Sequence, residues 1–139
     1  WRGTRRHGQG RLVTAEGDVY EGQFAKDVAH GHGKYTYADG ATYEGDWHRG
    51  EQSGKGIEVE RDRSRYEGDF LRGCKHGQGI WRSHNGNMYK GTFHNDLMHG
   101  EGQYKFADNR LYTGQFAEGH MSGHGKMEWL PPPRGGGGK

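Results

Sequence analysis

The sequence is poor in apolar residues. Only 29% of its 139 residues are hydrophobic, well below the ~45–50% of an ordinary globular domain, which excludes a thick single core. It has one cysteine, Cys74, so no disulfide can form within the chain, and a reducing compartment is expected. Proline is confined to Pro131, Pro132 and Pro133, where it stops strand pairing at a point where a turn is due. No apolar run approaches the ~18 residues of a membrane span, and no signal-peptide pattern is present. The chain starts at Trp1 without an initiator methionine, as expected of a fragment. Charge of one sign is also missing: the net charge is +2. Low hydrophobicity with abundant glycine suggests disorder, but near-neutral charge opposes it. So do four Trp, eight Tyr and five Phe.

Those aromatics and the 28 glycines are periodic. "YEGQF", "YEGDW", "YEGDF", "YKGTF" and "YTGQF" begin at Tyr20, Tyr43, Tyr66, Tyr89 and Tyr112, with a constant interval of 23 residues. A second word keeps the same interval: "HGQG" at His7, "HGHG" at His30, "SGKG" at Ser53, "HGQG" at His76, "HGEG" at His99 and "SGHG" at Ser122. Between them lie a short alternating segment and a turn signal, Glu16-Gly17, Asp39-Gly40, Asn85-Gly86 or Asp108-Asn109. Alternation around such a turn predicts a β-hairpin.

Side-chain parity selects the register. A two-residue turn at Asp39-Gly40 would pair Tyr43 with Thr36 and divide the aromatics between faces. A three-residue loop, Ala38-Asp39-Gly40, pairs Tyr43 with Tyr35 and gathers Tyr35, Tyr37, Tyr43 and Trp47 on one face. The predicted hairpins are 8–24, 31–47, 54–70, 77–93 and 100–116, with a half repeat at 123–129 and six-residue links between them. Gly22, Gly45, Gly68, Gly91 and Gly114 fall between two rings, where a bare Cα leaves room for a ring from an adjacent strand. The fold class expected is all-β: an elongated single-layer antiparallel meander of about twelve strands, each unit stabilised by its neighbours. Trp1 fills the aromatic position of a first strand, with Arg2 to His7 as its link. Residues 1–130 form the array and 131–139 a Pro/Gly-rich tail or linker.

The paired words resemble the MORN repeat (membrane occupation and recognition nexus), whose pattern is close to Y-x-G-x-W-x-x-G-x-x-H-G-x-G. "YEGDWHRGEQSGKG" from Tyr43 and "YEGDFLRGCKHGQG" from Tyr66 follow it nearly throughout, and the resemblance covers residues 1–129. It implies an elongated antiparallel β-ribbon. It also implies a scaffold role in cilia, flagella or other cytoskeletal assemblies, or a place beside phosphoinositide kinase or membrane-junction domains.

Catalytic and metal chemistry find little footing. His7, His30, His76 and His99 recur on successive units, roughly 10 Å apart in a straight ribbon, whereas zinc ligands share one ion at ~2.0–2.1 Å. Hydrogen bonding to link backbone suits them better. Gly-x-Gly lacks the rest of a phosphate loop. Cys74 lies between Arg72 and Lys75, where a lowered thiol pKa is conceivable but an ordinary loop cysteine is the simpler account. Arg2, Arg5, Arg6 and Arg11 form the one basic cluster. The expectation is a protein that is not an enzyme, with no cofactor, metal, small-molecule substrate or nucleic acid. Its partners are other proteins of a larger assembly in the cytoplasm or cytoskeleton, in a cilium or flagellum axoneme. The alternatives are weak anionic-lipid recognition, or the regulatory arm of a phosphoinositide kinase outside this fragment.

A single-layer sheet leaves part of its aromatic face open to a partner. The groove predicted to bind it comprises Tyr43, Trp47, Glu58, Glu60, Phe70, Trp81, Tyr89, Phe93 and Tyr104. Glu58 and Glu60 are departures, standing where the neighbouring repeat has Tyr35 and Tyr37, with Asp62-Arg63 in place of Asp-Gly. Two outcomes are open here. Either the register holds and a partner's arginine neutralises the glutamates, or it slips, turning them to solvent and burying Ile57 and Val59.

Overall fold

The computed structural model describes residues 8–131. They form one antiparallel sheet of eleven strands in sequence order: β1 (Gly8–Val13), β2 (Val19–Ala25), β3 (Val28–Thr36), β4 (Thr42–His48), β5 (Glu51–Val59), β6 (Arg65–Leu71), β7 (Cys74–Arg82), β8 (Met88–His94), β9 (Leu97–Lys105), β10 (Arg110–Ala117) and β11 (His120–Trp129). This is the all-β meander expected. The strand ending at Trp1, the link Arg2 to His7, Pro132, Pro133 and the tail beyond them lie outside the described residues.

The register follows the three-residue loop. Tyr35 faces Tyr43 and Gly31 faces Trp47, and the Tyr37 amide donates to the Ala41 carbonyl at 2.8 Å. The third repeat keeps this register despite its altered turn. Glu58 faces Tyr43 on one side and Tyr66 on the other, and the Glu60 amide donates to the Ser64 carbonyl at 2.8 Å. Arg63 adopts the left-handed conformation, φ 77°, that Gly40 adopts at 98°. The slip that would have buried Ile57 does not occur.

The six-residue links are shorter than expected. Each is a two-residue hairpin turn with both residues left-handed: Lys26-Asp27, Arg49-Gly50, Arg72-Gly73, Asn95-Asp96 and Glu118-Gly119. This is the turn whose twist matches that of the flanking strands. The remaining link residues belong to strands, so β3, β5, β7, β9 and β11 begin three residues earlier than the hairpins read from the repeat.

The core is a continuous ladder of rings. Tyr20, Phe24, Tyr43, Trp47, Tyr66, Phe70, Tyr89, Phe93, Tyr112 and Phe116 are all buried. Within a strand, Tyr43 meets Trp47 edge-to-face at 5.2 Å; across to the next repeat, Tyr43 meets Phe70 at 4.9 Å. The same alternation runs from Phe24 to Tyr112. Each such contact adds roughly 0.5–1.5 kcal/mol beyond area burial, and together they hold a sheet that has no second layer among the described residues.

Irregular pairing makes room for the rings. Gly45 faces Gly56 and Trp47 faces Gln52, so Asp46 alone stands opposite Ser53, Gly54 and Lys55. At this bulge the Asp46 carbonyl accepts a hydrogen bond from the Tyr43 hydroxyl at 2.8 Å. The other ladder tyrosines repeat that bond at 2.7–3.0 Å. The Asp46 side chain in turn accepts from the Lys55 amide at 3.2 Å, and Gln23, Asp69 and Gln115 serve likewise. This is why the second x of Tyr-x-Gly-x-aromatic is often Asp or Gln.

The glycines divide the work differently from the sequence reading. The Tyr43 ring lies on Gly56, the second glycine of Gly-x-Gly, where an added Cβ would come within 2.4 Å of it. Gly45 instead allows the backbones to approach, since a Cβ there would meet the Lys55 carbonyl oxygen at 2.4 Å. The first glycine of the pair, as at Gly54 with φ 86°, supplies the bulge conformation.

Candidate protein-interaction face

The residues predicted to line a groove separate into two ranks. Tyr43, Trp47, Phe70, Tyr89 and Phe93 belong to the buried ladder and present almost no surface. Their exclusion from solvent reflects how tightly the bulged strands close around the rings. Desolvation pushes the Tyr89 hydroxyl up to about 12, and it raises Tyr43 and Tyr66 as well. Glu58, Trp81 and Tyr104 are half-buried and Glu60 is exposed.

A second, outer rank is what the face presents. Tyr35, Tyr37, Trp81, Tyr104 and Phe106 are half-buried, and they occupy the alternating segment after Gly-x-Gly, on or just beyond β3, β7 and β9. Tyr35 and Tyr37 lie 4.6 Å apart and Tyr104 and Phe106 4.8 Å apart, tilted against each other. The Tyr35 hydroxyl donates to Asp18 at 2.7 Å; burial and this carboxylate push it up to about 12. Tyr35, Tyr37 and Phe106 were missing from the predicted groove. Their signal was the same period of two that placed Tyr43, but parity names a face and says nothing about which ring on it becomes covered.

Glu58 already has a cation. The Lys75 ammonium is 3.1 Å from a Glu58 carboxylate oxygen, with the side chains only 13% and 23% exposed. It also lies 5.4 Å from the centre of the Tyr66 ring. A partner's arginine is therefore not required to neutralise Glu58. Lys75 escaped the sequence reading because it fell in a supposed link; in the structure it is the second residue of β7, facing Phe70.

The opposite face carries the polar positions. A shallow cavity of about 690 Å³ lies there, with Ile57 and Ile80 among Glu44, Glu67, Lys55 and Lys90. Lys55 and Asp69 are ion-paired. His32 stands 3.9 Å from both Glu44 and Asp46.

Among the described residues no group of three histidine, cysteine or acidic side chains could hold a metal ion. His30 accepts the Arg49 amide hydrogen at 3.2 Å, the link role expected, and stacks with His48 at 5.1 Å. The Cys74 thiol is pushed up by burial and then by Asp96, which is the reverse of activation.

A one-layer sheet built from identical bulged hairpins, with a buried ring ladder and an open outer rank, defines a repeat-type binding module. The chain belongs to the MORN-repeat family: MORN repeats match residues 1–19, 20–42, 43–62, 66–88, 89–109 and 112–129. The family is generally a non-catalytic repeat module with protein- or membrane-binding roles. No curated protein matches the chain.

Proposed function

We propose that this chain is a non-catalytic scaffold that holds a partner protein along its aromatic face, within a cytoskeletal assembly of the cytoplasm such as the axoneme of a cilium or flagellum. The observation that carries the reading is the outer rank. Half-buried rings recur along one face, and among the described residues no second layer lies over them. Aromatic residues in this state supply large contact area at low entropic cost and are enriched in the anchors of protein interfaces. The rigid ladder beneath holds them at fixed spacing, so a partner meets a preorganised surface.

The test is a partition measured two ways. Chain expressed in flagellated cells is expected to stay with the detergent-insoluble cytoskeleton, and Tyr35→Ser together with Tyr104→Ser is expected to release it. In vitro, it is expected not to sediment with phosphatidylserine-containing vesicles at physiological salt. Salt-sensitive sedimentation with those vesicles, alongside complete detergent extraction from cells, would replace the scaffold with the anionic-lipid reading.

A further inference from the structure

The third and fourth repeats together break the outer rank in a way that creates a site. At the ends of β3 and β9 two rings stand side by side, Tyr35 with Tyr37 and Tyr104 with Phe106. At the position of the second ring Ser83 follows β7 and Glu60 follows β5. Trp81 therefore has no ring beside it along its own strand. Its nearest aromatic neighbour in the outer rank is Tyr104, at 6.4 Å between centroids. The result is a cavity of about 400 Å³ with Trp81 and Tyr104 as walls, Phe93 and Met98 among its apolar lining, and Glu60, Asp96 and Lys75 as its charges.

The charges do not balance. Lys75 is engaged by Glu58 at 3.1 Å and reaches Asp96 at 4.0 Å. Asp96 also accepts the Lys75 amide hydrogen at 2.8 Å. Glu60 has no ion-pair or side-chain hydrogen-bond partner among the described residues. Three carboxylates thus face one ammonium beside two open aromatic rings. A cation placed there gains both the carboxylate and the ring quadrupole.

We infer that the cavity between Trp81 and Tyr104 binds a cationic side chain, preferentially arginine, presented by the partner protein, with Glu60 pairing its charge. A planar guanidinium can lie on the indole while its N–H fork meets a carboxylate; a lysine can offer only a point charge. The inference rests on the scaffold reading and names the chemistry by which one part of the partner is recognised. It moves the cationic contact from Glu58, which Lys75 satisfies, to Glu60, which no described residue pairs.

The probe is the peptide acetyl-Gly-Arg-Gly-amide, titrated into the full chain and followed by NMR at the Trp81 indole N–H and the Glu60 and Met98 amides. Saturable shifts confined to this cluster are expected, with a dissociation constant on the order of 1 mM, as fits a single side chain. Glu60→Gln is expected to weaken binding about fivefold without altering the melting curve, because Glu60 is exposed. The lysine peptide should bind more weakly and the neutral citrulline peptide not at all. Equal binding of the citrulline peptide, an unchanged affinity in Glu60→Gln, or shifts confined to the opposite face would overturn the inference. The partition experiment reads a different quantity. Retention on the cytoskeleton without peptide binding removes the pocket and leaves the scaffold; peptide binding without retention removes the scaffold.

Discussion

The second and third repeats have the same fold with different outer residues. In the second, Tyr35 and Tyr37 follow Gly-x-Gly and Asp39-Gly40 makes the turn; in the third, Glu58 and Glu60 follow it and Asp62-Arg63 makes the turn. The strands nevertheless pair identically. Asp39 accepts the Ala41 amide hydrogen at 3.0 Å, and Asp62 accepts that of Ser64 at 2.9 Å. What the two repeats share is the inner ladder and its glycines. Register is therefore held by the buried rings and the bulge, while the outer rank is free to change and can carry specificity. Where it changes most, compensation arrives one repeat later: Lys75 stands at the position of Gln52, but whereas Gln52 donates to the hydroxyl of Tyr37, the counterpart of Glu60, Lys75 pairs with Glu58, the counterpart of Tyr35.

If the ladder sets the fold, the largest effect should come from filling the space beneath a ring. Gly56→Val would drive a side chain into Tyr43 from 2.4 Å. A loss of about 3 kcal/mol is expected, or a melting temperature lower by roughly 10 °C, read by circular dichroism. A change under about 1 °C would return these glycines to the status of spacers.

Tyr20, Tyr43, Tyr66 and Tyr89 should next make the sheet alkali-sensitive. Their hydroxyls titrate near 10 when exposed, and burial raises Tyr89 to about 12. A raised acid favours the protonated folded state. Its contribution is complete below pH 10 and is lost as pH rises through about 12. Unfolding and the tyrosinate absorbance at 295 nm should therefore rise together. Smooth titration near pH 10 in a sheet that stays folded would contradict a closed ladder.

The compensation in the third repeat predicts a smaller, conditional effect. Lys75→Met should cost about 2 kcal/mol, below the usual figure for a broken buried pair because both side chains retain some water. Adding Glu58→Tyr, which restores the residue type of the second repeat, should recover most of it. Additive losses in urea denaturation would show that the two side chains are independent.

The smallest effect concerns the turn. Arg63 holds φ 77°, a conformation that costs a side-chain-bearing residue roughly 1 kcal/mol or more. Arg63→Gly should raise stability by about 1 kcal/mol, with no change in strand register by NMR.

Much of this was legible because the repeat is short and unbroken. The spacing gave the meander, the alternation gave the ring face, and the demand that Tyr35 and Tyr43 share that face chose the three-residue loop. The links were misjudged although Arg49-Gly50, Arg72-Gly73 and Glu118-Gly119 are themselves hairpin signals. These pairs vary from repeat to repeat, as in Lys26-Asp27 and Asn95-Asp96, so they stand out less than the repeated words on either side. That error hid Lys75, and with it the partner of Glu58.

By itself the sequence determined the family, the strand order, the register of the repeats with an Asp-Gly-type turn and the face on which the rings gather, since a period of two and a constant 23-residue interval admit few other arrangements; the register of the third repeat came from the structure. Tertiary structure decided which rings remain accessible. Tyr43 and Tyr35 have the same parity and face each other in register, yet one is fully buried and the other only half so. The difference lies in what stands next to each. Tyr43 leans over the bare backbone of Gly56 and meets Phe70 from the following repeat. Tyr35 lies in the outer rank against Tyr37 and Trp47, where no ring from another repeat closes over it.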